Sequence, residues 1–338
     1  MGKRKYKCLV ILGGSFVIFM VAGSLIFNHF FNGDIPQTVL TYDESGKLIG
    51  GAPFKPSAEF PFGTDREGYD MFFKVLQGAQ YTLGAAIAIS LLSFMMSFLV
   101  GVAGGFIKNT SKYITQTVFT SFYFIPQSII AYNVLFPLLW EPPQGFETSF
   151  TERVIWQSVT LAVITVPTTA ILIANETREI LQKEFILSAR VLGGSPFFLF
   201  RKHLMPHLRM RLFVIFPKII VQVLLIIAHL GFFKLFYGGT DVCYGPFCDP
   251  PKPFVQEWAS LMAMNYRSIF NDWWIFMVPM FFFSLTILSL NGMTKGLEGL
   301  SEQNNKGEFA GGEEEDSEDE GLNSTPGEED FELLPRAK

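Results

Sequence analysis

Long apolar stretches alternate with polar loops along most of the chain. Apolar runs occupy residues 8–31, 79–107, 113–140, 153–175, 211–236 and 273–293, and polar or turn-rich segments separate them. A helix needs about 20 apolar residues to cross the hydrocarbon core of a bilayer, and every run reaches that length. The pattern therefore predicts an all-α membrane protein with about six transmembrane helices.

The polar segments divide this chain into four parts. Residues 1–31 give an N-terminal transmembrane helix, and residues 32–77 an extracytoplasmic segment. Residues 78–300 hold five further helices and one long basic loop at 176–210. Residues 301–338 form a tail that is rich in Glu, Asp and Gly and has no periodicity, so we expect it to be disordered.

The distribution of charge indicates the orientation in the membrane. The net charge of −5 hides a strongly acidic tail on a mildly basic body. Basic residues concentrate around the long loop, at Arg178, Lys183, Arg190, Arg201, Lys202, Arg209 and Arg211. Four more precede the first apolar run, in MGKRKYK. Because loops on the cytoplasmic side carry the excess of Lys and Arg, we expect this loop and both termini to be cytosolic.

The first apolar run admits a second interpretation, a secretion signal. The run is longer than the apolar core of an ordinary signal peptide, and no convincing cleavage site follows it. We therefore interpret it as a retained helix.

Two cysteines share one polar loop that we expect outside the cytosol. Cys243 and Cys248 lie in DVCYGPFCDPP, and an oxidising compartment would permit a disulfide between them. A zinc site is less consistent with the sequence, because two ligands do not complete one and no His lies nearby. A disulfide and two free thiols both remain open.

The loop Glu184–Pro206, EFILSARVLGGSPFFLFRKHLMP, has the pattern of two short helices. Phe185, Ala189 and Leu192 fall on one face of the first. Gly193–Gly194 then suits a helix end, because glycine tolerates the left-handed conformation of a C-terminal cap.

The second helix of this loop begins at Ser195–Pro196, an N-cap followed by a favoured first residue. It places Phe197, Phe200 and Leu204 on one side, and Pro206 marks its expected end. Basic side chains flank the apolar face, namely Arg190, Arg201 and Lys202. The pattern predicts an element that fits a groove in a cytosolic protein.

This loop resembles the ATPase-docking loop of ABC importer permeases, whose signature is roughly EAA, three residues, Gly, nine residues and Ile-x-Leu-Pro. Ala189, Gly193 and Pro206 fall on signature positions, whereas Leu187, Ser188, His203 and Met205 replace the usual Glu, Ala, Ile and Leu. Permeases for peptides and nickel depart from the signature in a similar way. The resemblance implies docking through Glu184, Phe185, Ala189, Arg190, Gly193, Gly194, Phe197, Phe200, His203 and Pro206.

A second motif precedes the second apolar run, in FPFGTDREGYD. It resembles the Gly-Thr-Asp-x-x-Gly-Arg-Asp motif of the same permeases, through Gly63, Thr64, Asp65, Gly68 and Asp70. Tyr69 and Gln80 stand where that family commonly has Arg. The residues themselves are typical of a capped turn before a helix.

The resemblance covers about residues 1–300 and implies a type I ABC importer permease fold. It also implies a multi-pass protein of a bacterial-type cell membrane, in contact with lipid. Implied partners are a second homologous permease, two ABC ATPase subunits that carry the ATP and magnesium, and an extracytoplasmic substrate-binding protein. Peptides are the first substrate class implied, and nickel or another small solute the second.

The sequence lacks the motifs of an enzyme. No GxxxxGK[ST] loop is present, so we expect no ATP or other cofactor on this chain. HExxH, GxSxG and metal-ligand clusters are also missing, which predicts no catalytic or metal site, and the basic residues have no pattern for nucleic acid. Gln222 and His229 lie deep in the fifth run, where they would either line a pathway or bond a neighbouring helix.

Two other functions compete with the importer. An autonomous ion-coupled carrier commonly shows internal repeats and a polar site in mid-membrane, and no clear repeat or paired coupling charges occur in this sequence. A membrane scaffold with an acidic recruiting tail would explain the tail but neither motif.

Overall fold

The structure, a computed structural model, describes residues 2–42, 46–107 and 124–320. Within these ranges the chain is mostly helical. The helices are α1 Gly2–Phe30, α2 Met71–Phe106, α3 Gln127–Leu139, α4 Phe150–Leu181, α5 Glu184–Val191, α6 Pro196–Phe232, α7 Trp258–Asn265 and α8 Trp273–Glu320. Two short antiparallel pairs join β1 Leu40–Tyr42 to β2 Leu48–Gly51 and β3 Thr240–Asp241 to β4 Lys252–Pro253.

Five of these helices, α1, α2, α4, α6 and α8, are long and apolar enough to cross a membrane. Helix α3 is apolar but has only 13 residues, fewer than the roughly 20 that a full crossing needs. Residues 113–123 of the predicted third span lie outside the described residues. The sixth crossing therefore stays a prediction.

Several helices begin before the apolar runs that predict them, because polar caps determine where a helix starts. Asp70 caps α2 by accepting a hydrogen bond from the Phe72 N–H at 2.8 Å. Ser149 and Glu152 form a reciprocal capping box at the start of α4. The helix starts lie eight residues before the apolar run for α2 and three residues before it for α4.

The most extensive helix contact joins α2 to α4, which run parallel. Small residues recur every fourth position on the contact face of α2, at Ser93, Ser97, Gly101 and Gly105, and all are buried. They let the two backbones approach closely, as small-xxx-small patterns do in membranes. Gly101 and Gly105, the last two of these residues, have the GxxxG spacing that is typical of close helix contact.

Helices α1 and α8 form an antiparallel pair. A Cβ on Gly299 would lie 2.4 Å from the Tyr6 ring, and one on Gly13 would lie 2.4 Å from the Ser289 carbonyl. The start of α1 and the part of α8 near residue 299 therefore lie at the same end of the bundle. We call this the loop end, because the Glu184–Pro206 loop lies there too.

Helix α8 continues from its apolar segment to Glu320. It thus includes residues 301–320, for which the sequence predicts no regular structure, whereas residues 321–338 lie outside the described residues. A helix that is already formed adds residues without a new nucleation cost, and Glu and Gln are good helix formers.

Candidate functional site

The Glu184–Pro206 loop folds as two helical pieces, as its sequence predicts. The first is α5, and Gly193 follows it with φ +88°, in the left-handed region that favours glycine. Ser195 caps the second piece by accepting a hydrogen bond from the Phe198 N–H at 3.3 Å, and Pro196 is its first residue. The two pieces form a compact turn between α4 and α6.

The loop is anchored to the helix bundle by buried apolar residues. Ile186, Leu199 and Leu204 are almost fully buried, and Ala189 and Phe200 pack partly against the same core. Phe185 and Leu192, at the two ends of the predicted apolar face, are exposed and therefore accessible to another protein. Helix α5 has apolar residues on more than one face, and only tertiary contacts decide which face is buried.

The outer side of this loop carries many exposed apolar side chains. Val191, Leu192 and Phe197 are 87%, 88% and 70% exposed. We define the loop surface as the exposed residues Phe185, Leu187, Arg190, Val191, Leu192, Phe197, Phe198, Arg201 and Lys202. Such a concentration of exposed apolar side chains is typical of a protein interaction site.

The expected helix boundary at Pro206 is wrong. Residues Leu199–Leu204 form a π-helical segment, and the Met205 N–H donates to the Phe200 carbonyl five residues earlier. Pro206 lies within the first turn that follows, where its missing N–H and its ring are tolerated. The second helix of the loop is therefore continuous with the membrane-spanning part of α6. His203 is half-buried, with its ring 5.5 Å from that of Phe198.

Ion pairs at the loop end connect α4, α6 and α8. Arg211 of α6 binds Glu176 and Glu179 of α4, the second at 2.7 Å. Lys218 binds Glu298 of α8 at 2.7 Å. These side chains line a cavity of about 360 Å³ together with Ser301 and Glu302, among others. The charged residues are visible in the sequence, but their partners cannot be predicted from it, because ion pairs between helices depend on the packing of the bundle.

A neutral polar cluster joins α3, α4 and α6 within the apolar part of the bundle. The Gln222 side-chain amide donates to Gln127 Oε1 at 2.6 Å and to Thr168 Oγ1 at 3.0 Å. His229 lies two turns further along the same face of α6 and is exposed. The structure thus places Gln222 in contact with neighbouring helices, and it does not bring Gln222 and His229 together. The sequence does not identify Gln127 or Thr168.

The Gly-Thr-Asp motif lies at the opposite end, where it ties the 32–70 segment to the helices. Asp65 is buried, accepts hydrogen bonds from the Glu67 and Tyr69 N–H groups at 2.9 Å, and forms an ion pair with Lys74. The Thr64 carbonyl accepts a hydrogen bond from the Trp274 indole at 2.9 Å.

Two glycines of this motif have positive φ, +73° at Gly63 and +86° at Gly68. A Cβ on Gly68 would lie 2.3 Å from the Thr38 carbonyl oxygen, so glycine is also required by space. Asp70 is the N-cap of α2. All five motif residues thus serve the local fold, and none of them converges with others on an open site.

Glu257 is fully buried and caps α7. Its carboxylate accepts hydrogen bonds from the Ala259 and Ser260 N–H groups at 2.6 and 2.8 Å. Burial nevertheless dominates and raises the pKa of Glu257 to about 7. The adjacent Trp258 is also buried, and its indole donates to the Val75 carbonyl at 2.8 Å.

This raised pKa predicts a pH-dependent stability. The folded protein holds the Glu257 proton more tightly than the unfolded chain does, so the contribution is full below about pH 4.5 and is lost as pH rises through about 7. Between pH 5 and pH 8 we expect the wild type to lose at most about 3 kcal/mol in free energy of unfolding relative to Glu257→Gln. Its thermal midpoint should fall accordingly relative to that of the variant. Parallel midpoints for the two proteins across this range would contradict the prediction.

The loop between β3 and β4 is closed by a disulfide. Cys243 and Cys248 form a disulfide in this structure, one of the two alternatives that the sequence leaves open. Phe247, between them, is 99% exposed. Within the described ranges, no three His, Cys, Asp or Glu side chains form a group that could hold a metal ion.

Comparison with known proteins gives a consistent set of relatives. No family model matches the chain. The dipeptide transport system permease protein DppC of Bacillus subtilis is 24% identical over 244 residues, which cover 72% of this chain and 68% of that protein. A putative peptide transport system permease protein of Brucella suis is 21% identical over 72% of this chain and 73% of its own length. The glutathione transport system permease protein GsiD of Pectobacterium atrosepticum is 22% identical over 86% and 85%.

Proposed function

We propose that this chain, a homologue of peptide transport permeases and a multi-pass protein of the inner membrane, is a subunit of an ATP-driven importer. It forms half of the translocation pathway for peptides, and a second, homologous permease forms the other half. Two ABC ATPase subunits carry ATP and magnesium on the cytosolic side, and a substrate-binding protein delivers peptides from outside. The observation that carries this proposal is the exposed loop surface on a rigidly anchored helical turn.

The loop can transmit movement from the ATPases to the translocation pathway. Its buried residues attach it to the bundle, and its second helix is continuous with α6 over 37 residues, about 55 Å at 1.5 Å per residue. A displacement of the loop by the ATPases is therefore transmitted along α6. The ATPases favour one arrangement of the bundle through their different contacts with the two states.

The direction of the helices supports six crossings with both termini in the cytosol. Because α2 and α4 run parallel, the chain between them has to return to the end where α2 began. Helix α3 ends there, since Trp140 pairs with Thr240 at the end opposite the loop. The basic residues of the loop end place that end in the cytosol by the positive-inside rule.

One face of α6 supplies the pathway in this proposal. Lys218, Gln222 and His229 share a face, and each is at least partly exposed in the isolated chain. Gln222 lies ten residues from the end of α6, about 15 Å and hence near the middle of a 30 Å bilayer core. Polar groups at that depth face a bundle interior or a water-filled cavity, because contact with lipid is costly. The second permease would enclose this face.

We expect Gln222→Leu to lower peptide uptake several-fold. The change removes hydrogen bonds to Gln127 and Thr168 and a polar group from the proposed pathway wall. Uptake of a labelled dipeptide into proteoliposomes measures this loss of transport. The control is Leu225→Met, because Leu225 is an exposed neighbour on the same side of α6. Equal uptake by both variants would remove Gln222 from the pathway.

Gentle extraction of a tagged chain from its native membrane, followed by mass spectrometry, tests the assembly itself. We expect two ATPases and a second permease with the wild type, and loss of the ATPases alone with Gly193→Trp. A Cβ on Gly193 meets nothing within 4 Å, so the indole extends into the docking space, and the positive φ adds only local strain. A chain that purifies alone, or keeps its ATPases in the variant, would contradict the proposal.

A further inference from the structure

The loop surface carries positive charges that have no ion-pair partner among the described residues. The ion pairs near the loop end involve Arg211 and Lys218, whereas Arg190, Arg201 and Lys202 are exposed and bind no described carboxylate. Exposed apolar side chains lie beside them, led by Leu192 and Phe197. A ligand for this surface would combine acidic and large apolar side chains in one short segment.

The chain itself contains such a segment. Residues Glu328–Leu334 read EEDFELL, four acidic side chains with Phe331, Leu333 and Leu334 between and after them. The tail that carries this segment leaves the bundle at the loop end, because Ser301 and Glu302 line the same cavity as Arg211. Charge and apolar content therefore match the loop surface, and the chain leaves the bundle on the correct side.

The length of the tail lets the segment return to the level of Gln303, at the loop end. From Gln303, helix α8 runs 17 further residues to Glu320, about 25 Å at 1.5 Å per residue. An extended chain spans up to about 3.4 Å per residue, so about eight residues cover that distance again. Seven residues, 321–327, lie between Glu320 and Glu328, so eight Cα–Cα steps join them.

We propose that Glu328–Leu334 binds the loop surface of its own chain and competes with the ATPase subunits for it. The competition rests on the proposed function, whereas the binding of the tail to the loop does not. A flexible tether gives an effective concentration on the order of 1 mM, so even a weak segment occupies the surface for part of the time. Because the contact is partly ionic and exposed, added salt weakens it.

A truncation and two matched variants test the competition. The readout is the half-saturating concentration of purified ATPase on the full-length permease pair in nanodiscs. A stop after Glu320 should lower this concentration about threefold or more at low salt, a shift that disappears at high salt. Glu328→Gln/Glu329→Gln/Asp330→Asn should give the same shift. Glu313→Gln/Glu314→Gln/Glu315→Gln, with the same loss of charge earlier in the tail, should leave the value unchanged. Equal ATPase binding by all forms, or equal shifts for both triple variants, would overturn the competition.

Cross-linking tests the contact without the ATPases. In a Cys8→Ser background, Leu192→Cys paired with Leu333→Cys should form an intramolecular disulfide under mild oxidation. Gln182→Cys, exposed at the same end but outside the loop surface, should react with Leu333→Cys several-fold more slowly. Equal rates would overturn the docking of the tail even if the ATPases bind. A fast Leu192–Leu333 reaction in a chain that recruits no ATPase would instead keep the contact and reject the proposed function.

Discussion

Gly105→Leu is expected to destabilise the bundle by about 3 kcal/mol or more, the largest effect of any single substitution considered for the fold. A Cβ at this position would lie 2.3 Å from Thr177 Cγ2 and 2.6 Å from Thr177 Cβ. A complete leucine side chain would therefore overlap with α4. Gly101→Leu should act in the same direction, because its Cβ would lie 2.7 Å from Ile173 Cβ. Both substitutions force α2 away from α4 along their closest contact.

A control on the same helix separates this packing effect from an effect of leucine itself. Gly84 is exposed and has nothing within 4 Å of an added Cβ, so Gly84→Leu should be tolerated and even gains helix propensity. Denaturant titration of the three variants in micelles measures the free energy of unfolding. Similar losses at Gly84 and Gly105 would contradict the close approach of α2 to α4.

The second large effect is expected on the loop surface, where Leu192→Asp/Phe197→Asp should weaken ATPase binding at least tenfold. Buried apolar anchors at the centre of an interface commonly contribute about 1–4 kcal/mol each. Both residues are largely exposed in the isolated chain, so the variant should fold and insert normally. Titration of purified ATPase onto the permease pair in nanodiscs, with a parallel thermal unfolding curve, measures both properties.

Two further substitutions make this result specific. Phe247→Asp also places a charge on an almost fully exposed aromatic, but at the opposite end of the molecule, and it should leave ATPase binding unchanged. Ile186→Asp places a charge at a fully buried site of the same loop and should lower the unfolding temperature. ATPase binding that survives the double substitution would reject the loop surface as the docking site.

The predicted and observed structures of the loop differ in an instructive way. Gly193 and Ser195 act locally, through a backbone conformation and a capping hydrogen bond. The end of the first helix and the start of the second can therefore be predicted from the sequence. The sequence does not predict which face of α5 is buried, because Ile186 and Leu192 are equally apolar. Only the packing of the neighbouring helices decides which of the two is covered. Pro206 misleads for a related reason, since a π-helical segment removes the usual conflict of proline with a helix.

The sequence by itself determined the membrane class, five apolar spans, the loop between two of them and the motif before α2. These follow from apolar length, glycine, proline and capping residues, which act over a few neighbouring positions. Only the tertiary structure decided that Gln222 meets Gln127 and Thr168, that Arg211 binds α4, and that Asp65 pairs with Lys74. Those contacts depend on the direction and rotation of helices packed against one another, and no local pattern of residues encodes either quantity.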